Sequence, residues 1–172
     1  APFESDKHTQ LLRTLQADIE AVRFNLDGQS IALPVKLKVH DSLYVPLAKW
    51  LMLITGNYRC IRQSEMQSIR DAVHTDIETS EGIYHWVGKL CSSIGADNND
   101  LVPFEKYANA AKSLQKPSSA ARALLAGAKN IERVDKLVQQ IARSRGMRNT
   151  ELDSIVQRVD SWLEKNRTTE LA

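Results

Sequence analysis

The chain has 172 residues, of which 26% are charged and 42% are hydrophobic, and a formal net charge of +2. This length can bury the core of one domain, and the balance of 23 basic against 21 acidic side chains gives no argument for a nucleic-acid partner. No apolar run approaches the roughly 18 residues of a membrane span. Cys60 and Cys91 have neither the number nor the spacing of a disulfide framework or a metal motif. We therefore expect a cytoplasmic protein with no membrane partner.

The N-terminal residues predict a helix followed by a β-hairpin. Ser5 can cap a helix over residues 5–21, in which apolar residues recur at helical spacing. Alternating apolar residues then flank Asp27-Gly28, a dipeptide that is typical of tight hairpin turns, and the second strand is expected over residues 31–39. Pro34 cannot donate a ladder hydrogen bond, so this strand should be bulged or at an edge.

From residue 42 onward the apolar periodicity is helical. Pro46 fits the first turn of a helix, where its missing N–H is not needed. Ser64-Glu65 opens the next predicted element, which continues to Gly95 either as one helix or as two with a break over residues 79–82. A shorter helix is predicted over residues 103–114.

The remaining sequence predicts three further helices. Ser118 or Ser119 caps the first, which should end at Gly127. Asn130 caps the second, over residues 131–145, with Leu137 facing inward. Gly146 ends it, and Asn149 or Thr150 caps the last helix. The expected organisation is an N-terminal helix and hairpin (1–41), a helical domain (42–166) and a fraying tail (167–172).

Four polar residues are candidates for a site, and each also has a structural interpretation. Lys49 either covers apolar surface with its stem or is a partly desolvated amine that donates a proton. Asn57 ends a helix or hydrogen-bonds a substrate. Ser119 caps a helix or anchors a carboxylate, and Glu132 complements a helix dipole or binds a substrate hydroxyl. Lys49 and Asn57, eight residues apart, fall on roughly one helix face.

The order of motifs between Leu47 and Trp162 resembles the C-terminal helical domain of the ketopantoate reductases, which belongs to the 6-phosphogluconate-dehydrogenase-like helical class. The resemblance implies a substrate-binding and dimerising domain of that fold. The segment 3–26 would then be the end of a preceding nucleotide-binding domain. The residues that carry the resemblance are Ala48-Lys49-Trp50 with Asn57, Lys116-Pro117-Ser118-Ser119, Ala126-Gly127 with Ile131-Glu132-Arg133-Val134-Asp135, and Arg145-Gly146.

Enzymes of this family reduce a 2-keto acid with NADPH in pantothenate biosynthesis. The resemblance implies that Lys49 is the general acid, that Asn57 hydrogen-bonds the substrate, that Ser119 binds its carboxylate and that Glu132 binds a hydroxyl. Leu53 stands where the family often has a second asparagine. The family glutamate falls near Ile131 when counted from Ser119, and at Asn130 when counted back from Gly146.

The chain contains no glycine-rich phosphate loop, so it has no visible means of its own to bind a dinucleotide. The resemblance therefore implies a domain present without its Rossmann partner, inactive alone, with NADP bound mainly by that missing domain. A homodimer is a further implied possibility. Two alternatives are a catalytically inactive interaction or adaptor domain on the same scaffold, and an unrelated helical regulatory protein.

Overall fold

The computed structural model describes residues 5–33, 35–40 and 42–168. The chain separates into two compact units, Ala1–Val45 and Pro46–Ala172, which we name the N-terminal unit and the helical unit. Helices make up 62% of the structure, which confirms the mainly-α prediction, including the short N-terminal helix and the two-stranded antiparallel hairpin.

The N-terminal unit consists of α1 (Asp6–Ala21), β1 (Arg23–Leu26) and β2 (Gln29–Ala32). Ser5 caps α1 as predicted, because its side chain accepts a hydrogen bond from the Lys7 N–H at 3.3 Å. The two strands pair antiparallel, with Leu26 opposite Gln29. Asp27 and Gly28 both have positive φ, 50° and 82°, as the tight turn between twisted strands requires.

The prediction that the second strand extends to Val39 is wrong, because β2 ends at Ala32. β1 has only four residues and offers no further pairing partner. The following segment bonds to α1 instead: the Val39 N–H donates to the Gln16 side chain at 2.8 Å, and the Lys38 ammonium donates to Glu20. Pro34, on which the expectation of an edge or bulge depended, lies outside the described residues.

The π-helical turn (Leu53–Asn57) and the helix α4 (Ile77–Ser93) lie at the centre of the helical unit. Both carry fully buried apolar residues, among them Ile54, Val87 and Leu90. The apolar positions of α4 recur at helical spacing, so that one face of this helix enters the core. A 3-10 turn at Val45–Leu47 leads into the elements, which are α2 (Ala48–Met52), a π-helical turn (Leu53–Asn57), α3 (Ile69–His74), α4 (Ile77–Ser93), a 3-10 turn (Asn98–Asp100), α5 (Phe104–Ala111), α6 (Ser119–Leu125), α7 (Val134–Ser144) and α8 (Thr150–Thr168).

Several predicted helix ends are confirmed. Ser118, rather than Ser119, caps α6 by accepting a hydrogen bond from the Ala121 N–H at 3.2 Å. Asn149 caps α8 by accepting from the Leu152 N–H at 3.0 Å. The glycines that were expected to end α4, α6 and α7 all follow those helices with positive φ.

Other predicted boundaries are wrong. Ser64-Glu65 opens no helix, because α3 begins at Ile69 after the cap Ser68. The break between α3 and α4 comes earlier than residues 79–82, since the Asp76 carboxylate accepts from the Thr79 N–H at 2.9 Å and starts α4.

The start of α7 also differs from the prediction. Asn130 does not cap it; the helix begins at Val134, and residues 131–133 are not helical. Leu137, predicted to face inward, is 45% exposed. At the chain end, Arg167 and Thr168 continue α8 instead of fraying, and residues 169–172 lie outside the described part.

Candidate functional site

Three of the four predicted site residues line one cavity of about 320 Å³ in the helical unit. Asn57 comes from the π-helical turn, Ser119 from the first residue of α6, and Glu132 from the segment before α7. The cavity joins parts of the chain that are more than 60 residues apart in sequence. Its lining residues are Leu53, Asn57, Tyr58, Ser119, Ala120, Ala123, Asn130, Ile131 and Glu132.

The π-helical turn sets the position of Asn57. Its wider hydrogen bond runs from the Tyr58 N–H to the Leu53 carbonyl at 2.9 Å. On the opposite side the Tyr107 hydroxyl lies against Gly56 and donates to the Met52 carbonyl at 3.2 Å. A Cβ at Gly56 would lie 2.0 Å from that hydroxyl oxygen, so this approach requires glycine. The widened turn shifts the residues that follow it relative to a continuous α-helix.

Ser118 ties α6 to the π-helical turn. Its hydroxyl donates to the Asn57 carbonyl at 2.7 Å while its oxygen accepts from the Ala121 N–H. Ser118 is 2% exposed, whereas its neighbour Ser119 is exposed and lines the cavity. Within residues 42–168, neither the Asn57 amide nor the Ser119 hydroxyl makes a hydrogen bond, so both are available to a ligand.

Tyr58 fixes the wall that carries Glu132. Its hydroxyl donates to the Glu132 carbonyl at 2.5 Å and accepts from the Val134 N–H at 3.0 Å. Burial raises the pKa of Tyr58 to about 12, so the phenol stays protonated and can make both bonds at neutral pH. The Glu132 side chain itself is exposed at the rim.

Asn130 also lines the cavity, next to a guanidinium that the sequence did not indicate. The Asn130 side-chain oxygen accepts from Arg167 at 3.3 Å, and the Arg167 Nε donates to the Lys129 carbonyl at 3.1 Å. The sequence indicated Asn130 in two ways, as a predicted helix cap and as the position of the family glutamate when counted back from Gly146. Arg167 had no signal, because the predicted end of the helical domain excluded it.

Lys49 does not line this cavity. It lies on α2, four residues before Leu53, and its side chain is exposed. The structure therefore brings Asn57, Ser119 and Glu132 together and leaves the predicted proton donor outside the group. Within the described ranges, no group of three or more histidine, cysteine, aspartate or glutamate side chains could hold a metal ion.

The cavity has a chemistry that suits a small polar molecule with an apolar side. Asn57 and Asn130 present amides, Ser119 a hydroxyl and Glu132 a carboxylate, while Leu53 and the remaining neighbours are mostly apolar. Amides and a hydroxyl both donate and accept hydrogen bonds, so they can bind a keto group, a carboxylate or an alcohol.

Comparisons with protein-family models, curated protein sequences and solved structures give no match to this chain. In the part of the chain that the structure describes, no helix combines the length and apolarity that crossing a bilayer would require.

Proposed function

We propose that the helical unit is the substrate-binding domain of a ketopantoate-reductase-like oxidoreductase that acts on a 2-keto acid. One observation carries this proposal: Asn57, Ser119 and Glu132, chosen from distant parts of the sequence, line a single cavity. In this proposal the Asn57 amide and the Ser119 hydroxyl bind the carboxylate and keto oxygens, and Glu132 accepts a hydrogen bond from the substrate hydroxyl.

NADP does not fit the described residues. The two-stranded antiparallel hairpin is their only sheet, and no glycine lines the cavity around Asn57, whereas a pyrophosphate is held by a glycine-rich loop between a strand and a helix. Nucleotide binding would belong to a further domain, and dimerisation of the helical unit remains part of the proposal.

Lys49 would act as the general acid only after its ammonium moved into the cavity. An ammonium next to the keto oxygen would stabilise the negative charge that develops there. The exposed position of Lys49, together with Leu53 at the cavity, favours the second candidate function: an interaction domain on the same scaffold without catalysis.

Titration of the full chain with ketopantoate, followed by calorimetry, tests the binding function. A matched ligand is 3,3-dimethylbutanoate, which keeps a carboxylate and a branched body but lacks the keto and hydroxyl groups. We expect saturable binding of ketopantoate and weaker binding of the matched acid, because the polar side chains of the cavity would lose their hydrogen-bond partners on the keto and hydroxyl groups.

Variants then locate the site. Asn57→Ala and Ser119→Ala should each weaken ketopantoate binding about 2- to 10-fold, the loss expected for one hydrogen bond. Asn109→Ala and Ser144→Ala, exposed positions outside the cavity, are the matched controls. Lys49→Ala should leave the affinity unchanged. Equal binding of both acids, or no effect of Asn57→Ala and Ser119→Ala, would favour the interaction domain.

A further inference from the structure

We propose that a second cavity, on the outer face of α4, binds a small amphipathic carboxylate. This cavity has a volume of about 450 Å³ and shares no lining residue with the one around Asn57. Its size falls within the range of small-molecule sites. The residues that line it are Leu51, Tyr84, His85, Gly88, Lys89, Ser92, Asn98, Leu101, Val102, Pro103 and Phe104.

One side of this second cavity is an apolar wall held in place by buried contacts. Phe104 begins α5 and is 5% exposed. Its ring lies 5.3 Å from that of Tyr84, centroid to centroid. The Tyr84 hydroxyl donates to the Val102 carbonyl at 2.8 Å, which ties the segment before α5 to α4. Contacts within the protein therefore hold this wall in place.

Gly88 leaves the space in which a ligand would lie. A glycine inside a helix costs about 1 kcal/mol relative to alanine, so its place in the middle of α4 has no benefit for the helix itself. A Cβ at this position would lie 3.7 Å from a Leu51 methyl and 3.8 Å from a Leu101 methyl, at ordinary contact distances. Larger side chains would extend into the cavity between these neighbours.

The other side of the cavity is polar and positively charged. His85, Lys89 and Ser92 follow each other at helical spacing on the same face of α4. Lys89 makes no ion pair within residues 42–168, and no carboxylate lines the cavity. Two nearby acids bond to backbone N–H groups: Asp97 accepts from the Asn99 N–H at 2.8 Å, and Asp100 accepts from the Asp97 N–H at 3.0 Å. Glu105 on α5 is close to Tyr84 but does not line the cavity.

These two sides select the class of ligand. Transfer of the aliphatic or aromatic part of a ligand from water to the wall around Leu51 and Phe104 is favourable. An anionic head is attracted to Lys89 and can accept hydrogen bonds from Asn98 and Ser92. Neutral or cationic molecules of the same shape lack the second contribution, so we expect a carboxylate.

The test uses the full chain and decanoate below its micellar concentration, with decanol and decylamine as matched ligands of different charge. Binding is followed by amide chemical shifts. We expect saturable shifts at Gly88, Lys89 and Leu101 with decanoate, weaker effects with decanol, and weaker still with decylamine.

Two variants separate the contributions of space and charge. Gly88→Leu should abolish binding by filling the cavity, and Gly88→Ala is its control, because one methyl group fits. Lys89→Gln should weaken decanoate binding up to about fivefold, as expected for one solvated ion pair, whereas Lys112→Gln outside the cavity should not.

Four results would overturn the assignment. If decanol bound as tightly as decanoate, the attraction between the ligand carboxylate and Lys89 would not contribute to binding. Unchanged affinity in both Gly88→Leu and Lys89→Gln would place the ligand elsewhere, as would shifts confined to residues 5–45. Absence of saturable shifts at millimolar decanoate would remove the site altogether.

Discussion

Single side chains connect the cavity around Asn57 to the core of the helical unit. Tyr58 is the clearest case: this residue is 3% exposed, and its hydroxyl bonds both the Glu132 carbonyl and the Val134 N–H. Arg133, between these two residues, donates to the fully buried Asp135 through two bonds of 2.9 Å and to Asp160 on α8 at 2.5 Å. The segment that carries Glu132 is thus fixed at three successive positions.

The Arg133–Asp160 contact makes the stability of the helical unit depend on pH. Partial burial disfavours the ionised form of Asp160, but hydrogen bonding and attraction to Arg133 outweigh this and lower its pKa. A carboxyl group with a lower pKa in the folded state contributes stability above its unfolded pKa, near 4, and this contribution is lost as the pH falls through the folded pKa.

Asp160→Asn should therefore be less stable than the natural chain at pH 7 and should lose less further stability between about pH 5 and pH 3. Urea unfolding across that range measures both changes. Asp18→Asn, at an exposed position of α1, is the control, with no difference expected at either pH. If the free energy of unfolding changed with pH in parallel for the natural chain and Asp160→Asn, this contact would not be a source of the pH dependence.

At the scale of elements, the π-helical turn depends on a contact from another helix. The Tyr107 hydroxyl occupies the space beside Gly56, and its ring stacks on Tyr84 at a centroid distance of 5.4 Å. Gly56→Ala would create a 2.0 Å clash with that hydroxyl and should destabilise the helical unit by roughly 1–3 kcal/mol, as overpacking does.

A double-mutant cycle identifies the atom responsible. Tyr107→Phe removes the hydroxyl oxygen, so Gly56→Ala should cost clearly less in that background than in the natural chain. The free energy of unfolding in urea is the measurement. Gly82→Ala, where the added Cβ meets no atom within 4 Å, is the control and should be neutral or stabilising. If Gly56→Ala destabilised the natural chain and the Tyr107→Phe variant equally, the Tyr107 hydroxyl would not be the cause of the destabilisation.

These elements also show which parts of the fold could be predicted from the sequence. The cap at Ser5 and the Asp27-Gly28 turn depend on neighbouring residues, so local patterns were sufficient, whereas local patterns left the cap of α6 open between Ser118 and Ser119. The start of α7 depends on Tyr58, 76 residues away from Val134, and a local pattern contains no sign of it. The π-helical turn likewise follows from the distant Tyr107.

At the scale of the whole molecule, the candidate site was only partly predictable. The family resemblance selected Asn57, Ser119 and Glu132 from separate segments, and these three residues line one cavity. It also selected Lys49, which lies outside that cavity. Asn130 and Arg167 reach the site through the packing of α8 on the link before α7, and this packing follows from tertiary contacts.

The two units differ in how they can be stabilised. No described residue of the N-terminal unit is buried, and Leu11 and Leu15 on α1 are 66% and 46% exposed. A helix of 16 residues is marginal in water when it depends on local interactions alone. By contrast, α4 carries six buried residues, including Val87 and Leu90, and can exchange its amides only when the core opens.

Hydrogen exchange on the full chain should therefore divide it into two classes. Amides of α1 and the hairpin should exchange within about 100-fold of the rate of an unfolded chain, because local opening exposes them. Amides around Val87 and Leu90 should exchange only through global unfolding, with a free energy of about 5–15 kcal/mol. Addition of about 1 M urea should leave the exchange rates of the first class unchanged and increase those of the second class. Protection of α1 as strong as that of α4 would mean that its apolar face is covered in solution. Dilution would then show whether a second copy of the chain covers it, because protection by a second copy depends on the protein concentration.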